Sequence, residues 1–210
     1  MTAPVGGRAH VRGGTARPLI EATVPGFLAH VLSRHGDRPA ATFRATGERW
    51  SYRDLAARVD RLAAGLLAHG VYRGDRVAIW APNLAEWAVA ALATHTAGAV
   101  VVPINTRLKG AECTHQLDRT KAKILFTVSD FLDIDYVALL TEANGGDLPA
   151  SLEQIVILRG AAPEGARSWH SFLADAGSGS GSGEVAASDA DANASSATGS
   201  SGDELGARLA

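Results

Sequence analysis

GDRVAIWAPN, residues 74–83, and AGAVVVPIN, residues 97–105, decide the fold of this chain. Each contains a short apolar run that predicts a strand, and the alanine-rich residues between them, ending near His95, predict a helix. Strand, helix and strand in this order predict a βαβ unit, whose two strands run parallel. The run Ala99–Pro103 is so uniformly apolar that we expect it inside the sheet, covered on both faces.

A hairpin and a long helix are predicted before this unit. Ala40–Arg44 and Glu48–Trp50 are short strand-like runs joined by a Thr-Gly pair, which predicts a β-hairpin. Ser51 has an acid, Asp54, three residues later, which is the spacing of a capping box at the start of a helix. Apolar residues then recur at helical spacing up to Gly70, which is placed to end the helix in the left-handed conformation.

Strands and helices are also predicted after the βαβ unit. Asn83 and Glu86 repeat the cap spacing at the start of the helix inside that unit. Downstream, the patterns predict a helix at Gly110–Arg119, a strand at Lys123–Thr127, a short helix at Ile134–Glu142 and a strand at Gln154–Leu158. This alternation predicts an α/β fold with a mostly parallel, doubly wound sheet and right-handed crossovers.

Composition divides the chain into four parts. We expect residues 1–20 to form a flexible arm and residues 21–174 to form the α/β part. Residues 175–202 are rich in Gly, Ser and Ala, and their few apolar groups cannot offset an ordering entropy of about 1–2 kcal/mol per residue. They are therefore predicted to be a flexible linker, and residues 203–210 to be the start of a further helix.

Charge and cysteine content restrict the classes of partner. The formal net charge of -2 gives no electrostatic reason to expect nucleic acid as a partner. Cys113 is the single cysteine, so no intramolecular disulfide can form, and a cytoplasmic location is favoured. Trp87–Ile104 carries no charged residue and approaches the length of a membrane span. Its Thr-His-Thr centre and its change from alanine to valine predict a helix followed by a strand instead.

The sequence assigns no catalytic, cofactor-binding or metal-binding residue. Gly177–Gly183 lacks the lysine, the preceding strand and the following helix of a phosphate loop. Cys113 and His115 would point in different directions on a helix, which disfavours a nucleophilic pair. The histidines are dispersed and lack the spacing of metal ligands on one helix face; they are His10, His30, His35, His69, His95, His115 and His170.

The aromatic and basic residues have structural interpretations. Arg58 and Arg61 are interpreted as the solvated face of the long helix, with acids nearby. Each tryptophan lies at the edge of a predicted element among apolar neighbours, which favours packing over a stacking platform for a ligand; they are Trp50, Trp80, Trp87 and Trp169.

Three segments resemble motifs of one enzyme family. WSYRDL at residues 50–55 resembles the motif that begins the first long helix after a hairpin, and GDRVA at residues 74–78 resembles the turn and strand that follow. AGAVVVPIN at residues 97–105 resembles a second motif, a glycine and a β-branched run before a proline. Their order and spacing resemble the AMP-forming, adenylate-forming ligases over roughly Pro25–Leu173. TRL at residues 106–108, after Pro-Ile-Asn, resembles acyl-CoA synthetases more than peptide-synthetase adenylation domains.

The resemblance implies the N-terminal, incomplete first subdomain of an acyl-CoA synthetase. A full-length member would use ATP and Mg²⁺ to convert a carboxylic acid, such as a fatty acid, into acyl-AMP and then transfer the acyl group to coenzyme A. The family's phosphate loop, its aromatic-Gly-x-Thr-Glu segment, its acidic ribose contact and its C-terminal lysine have no counterpart in these 210 residues. We therefore expect the chain alone to be inactive and a protein partner to cover its unfinished sheet.

Two other classes of protein are compared with this hypothesis. A non-catalytic α/β binding or interaction domain is favoured by the Gly-Ser tail, and such a domain should be monodisperse. A truncated enzyme should instead expose a sheet edge or an apolar face and aggregate. A dinucleotide-binding Rossmann enzyme is disfavoured, because no predicted strand is followed by Gly-x-Gly-x-x-Gly.

Overall fold

Strands and helices alternate along the chain, and the predicted elements have ends within two residues of those observed. The computed structural model describes residues 20–129 and 131–178, and from residue 23 onward these belong to one unit. In chain order the elements are α1 (Val24–His35), β1 (Pro39–Phe43), β2 (Glu48–Ser51), α2 (Tyr52–Ala68), β3 (Arg76–Trp80), α3 (Ala85–Thr96), β4 (Val100–Pro103), α4 (Gly110–Thr120), β5 (Ile124–Val128), α5 (Tyr136–Ala143), β6 (Gln154–Arg159), β7 (Arg167–Ser168) and α6 (Trp169–Ser178).

The strands form two sheets. β1 and β2 pair antiparallel as the predicted hairpin, and the other five strands form a parallel sheet in the order β4-β3-β5-β6-β7. Because β4 and β5 lie on opposite sides of β3, right-handed crossovers place α3 and α4 on opposite faces of the sheet. α2 packs against α3 and α6, and α4 packs against α5. The prediction of a mostly parallel, doubly wound α/β fold is confirmed.

The position of β4 corrects one prediction. Its apolar sequence is expected inside the sheet, but β4 lies at one edge of the five strands, and Val100 is 49% exposed. The strand in which every residue is buried is β5, because it pairs with β3 on one side and β6 on the other. Apolar composition favours a strand, whereas pairing partners decide whether it lies at the centre or at the edge.

The start and end of α2 are as predicted. Asp54 Oδ2 accepts a hydrogen bond from Ser51 N at 2.9 Å, and Ser51 Oγ accepts one from Asp54 N at 3.1 Å, which completes the capping box. The Ser51 donors also hold the pKa of the Asp54 carboxyl below its ordinary value. Gly70 follows the helix with a φ of 74°, a left-handed conformation in which a Cβ would be strained.

The predicted cap of α3 is wrong. Leu84, not Asn83, is the residue before the helix, and it makes no side-chain cap hydrogen bond. Glu86 instead forms an ion pair with Arg159 at the end of β6, where Arg159 Nη2 lies 3.1 Å from Glu86 Oε2. Local spacing assigned Glu86 to a helix cap, but its carboxylate binds Arg159, which is 73 residues away along the chain.

The sequence patterns above do not predict α1, β7 or α6. α1 does carry a readable signal, because Thr23 Oγ1 accepts a hydrogen bond from Gly26 N at 3.2 Å and Pro25 lies in the first turn. A threonine cap followed by a proline is a common start of a helix. β7 is only two residues long and has no periodicity that a sequence could show.

α6 extends into the segment predicted to be a linker. It ends at Ser178, so residues 175–178 of the predicted linker 175–202 are helical. Residues 1–19 of the predicted arm, the remainder of the predicted linker and the predicted helix start at 203–210 lie outside the described residues. Most of the Gly177–Gly183 segment lies outside them as well.

A hydrogen-bond cluster joins the end of α2 to β6, β7 and α6. The His69 side chain is 11% exposed and stacks on Phe172, with ring centroids 4.2 Å apart. Arg167 Nη1 lies 3.2 Å from His69 Nε2 and 2.6 Å from Asp175 Oδ2. The amide of Gln154 lies 3.3 Å from His69 Nδ1. A neutral imidazole accepts from one of two donors, Arg167 Nη1 at Nε2 or Gln154 Nε2 at Nδ1, because its other ring nitrogen carries the proton.

We expect the protein to lose stability on acidification through His69. Burial lowers the pKa of His69 and Arg167 lowers it further, while Asp175 and the backbone of Phe172 oppose the shift. In the unfolded chain a histidine has a pKa of about 6.5, so the unfolded state binds the proton first as the pH falls. The contribution of neutral His69 to the free energy of unfolding is complete above the unfolded-state pKa, and it is lost as the pH falls toward the lower folded-state pKa. Urea unfolding at a series of pH values measures this loss.

Two histidine variants test whether His69 causes the loss of stability at low pH. His69→Gln should show a shallower fall of the unfolding free energy between about pH 7.5 and pH 5.5 than the wild type, because the titrating group is gone. His170→Gln, at an exposed histidine of α6, should keep the wild-type slope. The same slope in both variants would contradict a role for His69.

Candidate functional site

The carboxyl ends of the parallel strands meet at one edge of the sheet. The chain leaves β3 for β4 on one side and returns to β5 on the other side. A crevice opens outside the strands where their order reverses in this way, and ligands of open α/β sheets bind there. We call this region the carboxyl edge, which comprises residues 81–84, 104–109, 129, 131–135 and 160–166.

A cavity of about 490 Å³ lies between the loops that follow β3 and β4. Trp80 joins the two loops, because its Nε1 donates to the backbone oxygen of Asn105 at 3.1 Å. Asn105 Oδ1 accepts from Arg107 N at 2.9 Å, which shapes the turn after β4. The cavity is lined by Ala81, Pro82, Asn83, Trp87, Pro103, Ile104, Asn105 and Thr106.

A second cavity, of about 470 Å³, lies between the loops that follow β5 and β6. Ser129 Oγ donates to the backbone oxygen of Ala161 at 2.7 Å and so connects the two loops. Asp135 Oδ1 accepts from Ala138 N at 2.9 Å and caps α5. The cavity is lined by Ser129, Asp133, Ile134, Asp135, Gly160, Ala161, Ala162 and Pro163.

These cavities offer hydrogen-bonding groups rather than a catalytic pair. Their lining side chains include amides, hydroxyls and carboxylates, while no described lysine, arginine, histidine or cysteine lines either of them. Across residues 20–129 and 131–178, no group of three or more His, Cys, Asp or Glu could hold a metal ion. The arrangement suits recognition of a ligand and lacks a described nucleophile beside a base.

The described residues that the sequence raised as candidates lie outside both cavities, with one exception, and His10 lies outside the described part of the chain. Cys113 is buried in α4, and burial raises the pKa of its thiol to about 12, so the thiol is protonated at neutral pH. His115, two residues later, is exposed. Trp87 lines the first cavity, which the packing interpretation did not predict. In the part of the chain that the structure describes, no helix is long and apolar enough to cross a membrane.

Sequence reasoning missed the polar residues of the carboxyl edge. Asn83, Asn105, Thr106 and Ser129 each follow a strand within a few residues. A polar residue directly after a buried parallel strand is the available signal, because the carboxyl ends of such strands bind ligands. The strand order, which the sequence does not show, is needed to place these residues side by side.

Sequence comparison identifies the family. The profile described as AMP-binding enzyme matches residues 28–195, which is well over half of the chain. The chain belongs to this family of AMP-binding enzymes. The match reaches beyond the described residues and includes all three motif segments, at residues 50–55, 74–78 and 97–105. The resemblance to adenylate-forming ligases is therefore confirmed.

Curated relatives of this AMP-binding chain are CoA ligases of much greater length. A 3-[(3aS,4S,7aS)-7a-methyl-1,5-dioxo-octahydro-1H-inden-4-yl]propanoyl:CoA ligase of Mycobacterium tuberculosis is 41% identical over 152 residues, which are 72% of this chain and 28% of that ligase. The mitochondrial medium-chain acyl-CoA ligase ACSF2 of Danio rerio is 32% identical over 133 residues, which are 63% of this chain and 22% of that ligase. The chain thus spans less than a third of the length of either relative.

Solved structures confirm the fold of this AMP-binding chain. A fatty acyl CoA synthetase of Mycobacterium tuberculosis superposes with a TM-score of 0.61 at 23% identity, covering 74% of this chain and 28% of the synthetase. At this identity the likeness concerns the fold alone. It supports the α/β arrangement of β3 to β7 without assigning a substrate.

Proposed function

We propose that this chain is the N-terminal part of an acyl-CoA ligase that activates a carboxylic acid as acyl-AMP with ATP and then forms a thioester with coenzyme A. The observation that carries the proposal is the family match over residues 28–195 together with 41% identity to a CoA ligase. The polar carboxyl edge supports it, since this is where an open α/β sheet receives a ligand.

The two carboxyl-edge cavities do not fit the phosphates of ATP or their Mg²⁺ ion. Acyl-adenylate formation builds negative charge at the α-phosphate, which cationic side chains, backbone donors and Mg²⁺ stabilise in phosphoryl-group chemistry. The cavities of the carboxyl edge contain no described cation, and the phosphate loop that the resemblance implies is absent from the sequence. We therefore assign no residue of this chain to catalysis and propose that the chain alone is inactive.

The purified chain should catalyse no acid-dependent exchange of pyrophosphate into ATP. The physical reason is the missing stabilisation of the charge that develops on the phosphates. The assay measures the incorporation of radiolabelled pyrophosphate into ATP in the presence of Mg²⁺ and each of a panel of fatty and alicyclic carboxylic acids. The Mycobacterium tuberculosis CoA ligase, assayed beside it with its own acid, is the positive control. Exchange above the acid-free blank would refute the proposed inactivity and leave the family membership intact.

A second candidate function is a non-catalytic interaction domain. Such a domain would use the outer edge of β4, which pairs with no other described strand on that side and offers N–H and C=O groups to a partner, and Val100 adds exposed apolar area. We propose a protein partner that covers this edge if the chain acts by itself. Sedimentation of the purified chain separates the two candidates: a monodisperse monomer favours the interaction domain, and self-association favours an incomplete ligase. The expected cytoplasmic location stays a prediction, and one relative above is mitochondrial.

A further inference from the structure

β7 and α6 are the last described elements of the fold, and we call residues 167–178 the terminal segment. β7 lies at one edge of the parallel sheet and pairs with β6 at two positions, Val156 with Arg167 and Ile157 with Ser168. A strand of two residues is shorter than most, so main-chain pairing holds it weakly. The position of the terminal segment therefore depends mainly on the packing of α6 against α2 and β6.

A stacked pair of rings joins α6 to the end of α2. His69 directly follows α2, and its imidazole stacks on Phe172 of α6 with ring centroids 4.2 Å apart. Phe172 is fully buried and also meets Phe126 of β5 edge-on, with centroids 5.8 Å apart. The His69 side chain is itself largely buried. Docking of the terminal segment therefore removes the imidazole from water, and undocking would return it to water.

Hydrogen-bond donors face both ring nitrogens of His69. Arg167 Nη1, from β7, lies 3.2 Å from His69 Nε2, and Gln154 Nε2, from β6, lies 3.3 Å from His69 Nδ1. Arg167 Nη1 also donates to Asp175 Oδ2 of α6 at 2.6 Å, which holds the guanidinium beside the imidazole. A neutral imidazole can accept from one of these donors, whereas a protonated imidazole has N–H groups on both nitrogens and accepts from neither.

Protonation of His69 would conflict with Arg167 more than with Gln154. A guanidinium contains only donors, so Arg167 cannot offer an acceptor to the protonated ring. Gln154 Oε1 is buried and has no hydrogen-bond partner among the described residues, so rotation of the amide would present this oxygen to Nδ1–H. The conflict therefore arises at the terminal segment and leaves β6 in place.

The groups that favour a protonated His69 do not outweigh those that oppose it. Asp175 Oδ2 lies 3.4 Å from His69 Nε2 and favours the protonated ring, as do the Phe172 ring and the carbonyl groups at the end of α2. Burial and the Arg167 guanidinium oppose protonation. Together these effects lower the pKa of His69, with burial as the largest cause, so the docked terminal segment disfavours the charged ring.

The charged groups next to this cluster belong to a separate ion-pair network. Lys123, directly before β5, donates to the backbone oxygen of Gly70 at 2.8 Å. Its Nζ lies 3.2 Å from Asp75 Oδ2 and 3.7 Å from Glu153 Oε1. These carboxylates and this ammonium keep their charges near neutral pH, so His69 is the group of the cluster whose charge changes there.

We propose that the terminal segment is a pH-sensitive latch. Protonation of His69 releases β7 and α6 from α2 and β6, while strands β3 to β6 stay folded. Release exposes Phe172 and frees the outer edge of β6 for pairing with another strand. The latch goes beyond the loss of stability described above for His69, because it identifies the part of the chain that opens first. It requires no catalysis and stands independently of the proposed function.

Hydrogen exchange of the full chain, followed by mass spectrometry at about pH 7.5 and about pH 5.5, tests the latch. Each exchange rate is compared with the intrinsic rate at the same pH, which gives a protection factor. We expect the protection factor of residues 167–178 to fall by up to about tenfold at the lower pH, because a solvated histidine with a pKa of about 6.5 is then about nine-tenths protonated.

The buried strand β5 is the internal reference for this measurement. At both pH values the terminal segment should have a protection factor at least about tenfold lower than that of Ile124–Val128, because it opens without the sheet. Equal protection factors in the two regions would show that the segment opens only by global unfolding. A protection factor of the segment that is the same at both pH values would exclude His69 as the trigger. Either result overturns the proposal.

Three variants locate the trigger through the ratio of the protection factors of residues 167–178 at the two pH values. His69→Gln should remove the change with pH, because glutamine does not titrate, while His170→Gln, at an exposed histidine of α6, should keep it. Arg167→Gln keeps the imidazole but removes the cation that opposes its protonation, so the change should be smaller than in the wild type. Circular dichroism confirms that each variant is folded. Equal ratios in all three variants would refute the latch.

Discussion

Replacing Trp80 with alanine should lower the free energy of unfolding by about 3–5 kcal/mol. Trp80 is fully buried at the carboxyl end of β3, and its ring meets Tyr136 edge-on with centroids 4.7 Å apart. The loss combines the transfer of a large apolar side chain with the cavity that remains, because β3 is held between β4 and β5 and cannot collapse into it. Urea unfolding followed by far-ultraviolet circular dichroism measures the difference.

The loss of the indole N–H should be separable from the loss of volume. Trp80→Phe keeps an aromatic ring but leaves the backbone oxygen of Asn105 without its donor, so we expect a smaller loss of about 1–3 kcal/mol. Trp87→Ala, at a half-buried tryptophan, should cost less than Trp80→Ala. A Trp80→Ala variant within about 1 kcal/mol of the wild type would show that β3 is not held as described.

The Trp80 variants also bear on the candidate site. Trp80 joins the loops after β3 and β4, and Thr127 Oγ1 of β5 donates to its backbone oxygen at 2.9 Å. Losing the indole removes the contact that positions Asn105 beside the first carboxyl-edge cavity. Hydrogen exchange should therefore increase in residues 104–109 of the Trp80→Ala variant before the helical face is affected.

The second large effect is expected at Gly110, the first residue of α4. A Cβ built on Gly110 would overlap the backbone carbonyl oxygen of Leu139 in α5 and lie 3.0 Å from the Cβ of Ala143. Alanine favours a helix over glycine by about 1 kcal/mol, so propensity alone predicts that Gly110→Ala stabilises the protein. Overlap with backbone atoms outweighs this gain, and we expect a net loss near the upper end of the range of about 1–3 kcal/mol for overpacking.

A second glycine in a first helical turn provides the matched control. Gly26 of α1 would place a Cβ 3.1 Å from Thr23 Oγ1, the end of a side chain that can move. Gly26→Ala should therefore change the unfolding free energy by less than about 1 kcal/mol, since gain in propensity and crowding oppose each other. Thermal unfolding of both variants makes the comparison. A Gly110→Ala variant at least as stable as the wild type would contradict the close approach of α4 and α5.

Local features of the fold were predictable because local physics produces them. The capping box of Ser51 and Asp54 needs only four consecutive residues and a helix that follows. The buried face of α2, which includes Val59, Leu62 and Leu66, is visible as a helical period in the sequence. The same reasoning failed at Glu86. Its partner Arg159 is distant in the sequence, and only the folded chain shows that the two side chains lie next to each other.

The candidate site was predictable only in part. The motif segments identify the family. The residues of the carboxyl edge, however, lie close together only because of the order of β3, β4 and β5 in the sheet. A cavity lined by residues of β2, α2, α3 and α6 could not be predicted for a related reason. Arg58 and Arg61 have the sequence of an ordinary solvated helix face, and Trp169 joins them from more than a hundred residues away.

By itself, the sequence determined the family, the alternation of strands and helices, and the positions at which most of them begin and end, because apolar periodicity and caps act over a few residues. Only the tertiary structure decided that β4 lies at an edge, that Glu86 pairs with Arg159, and that Gly110 must lack a side chain. Each of these depends on which distant segments meet. Which distant segments meet is decided by burial of the apolar surface of the whole chain, and this information is not present in any short window of residues.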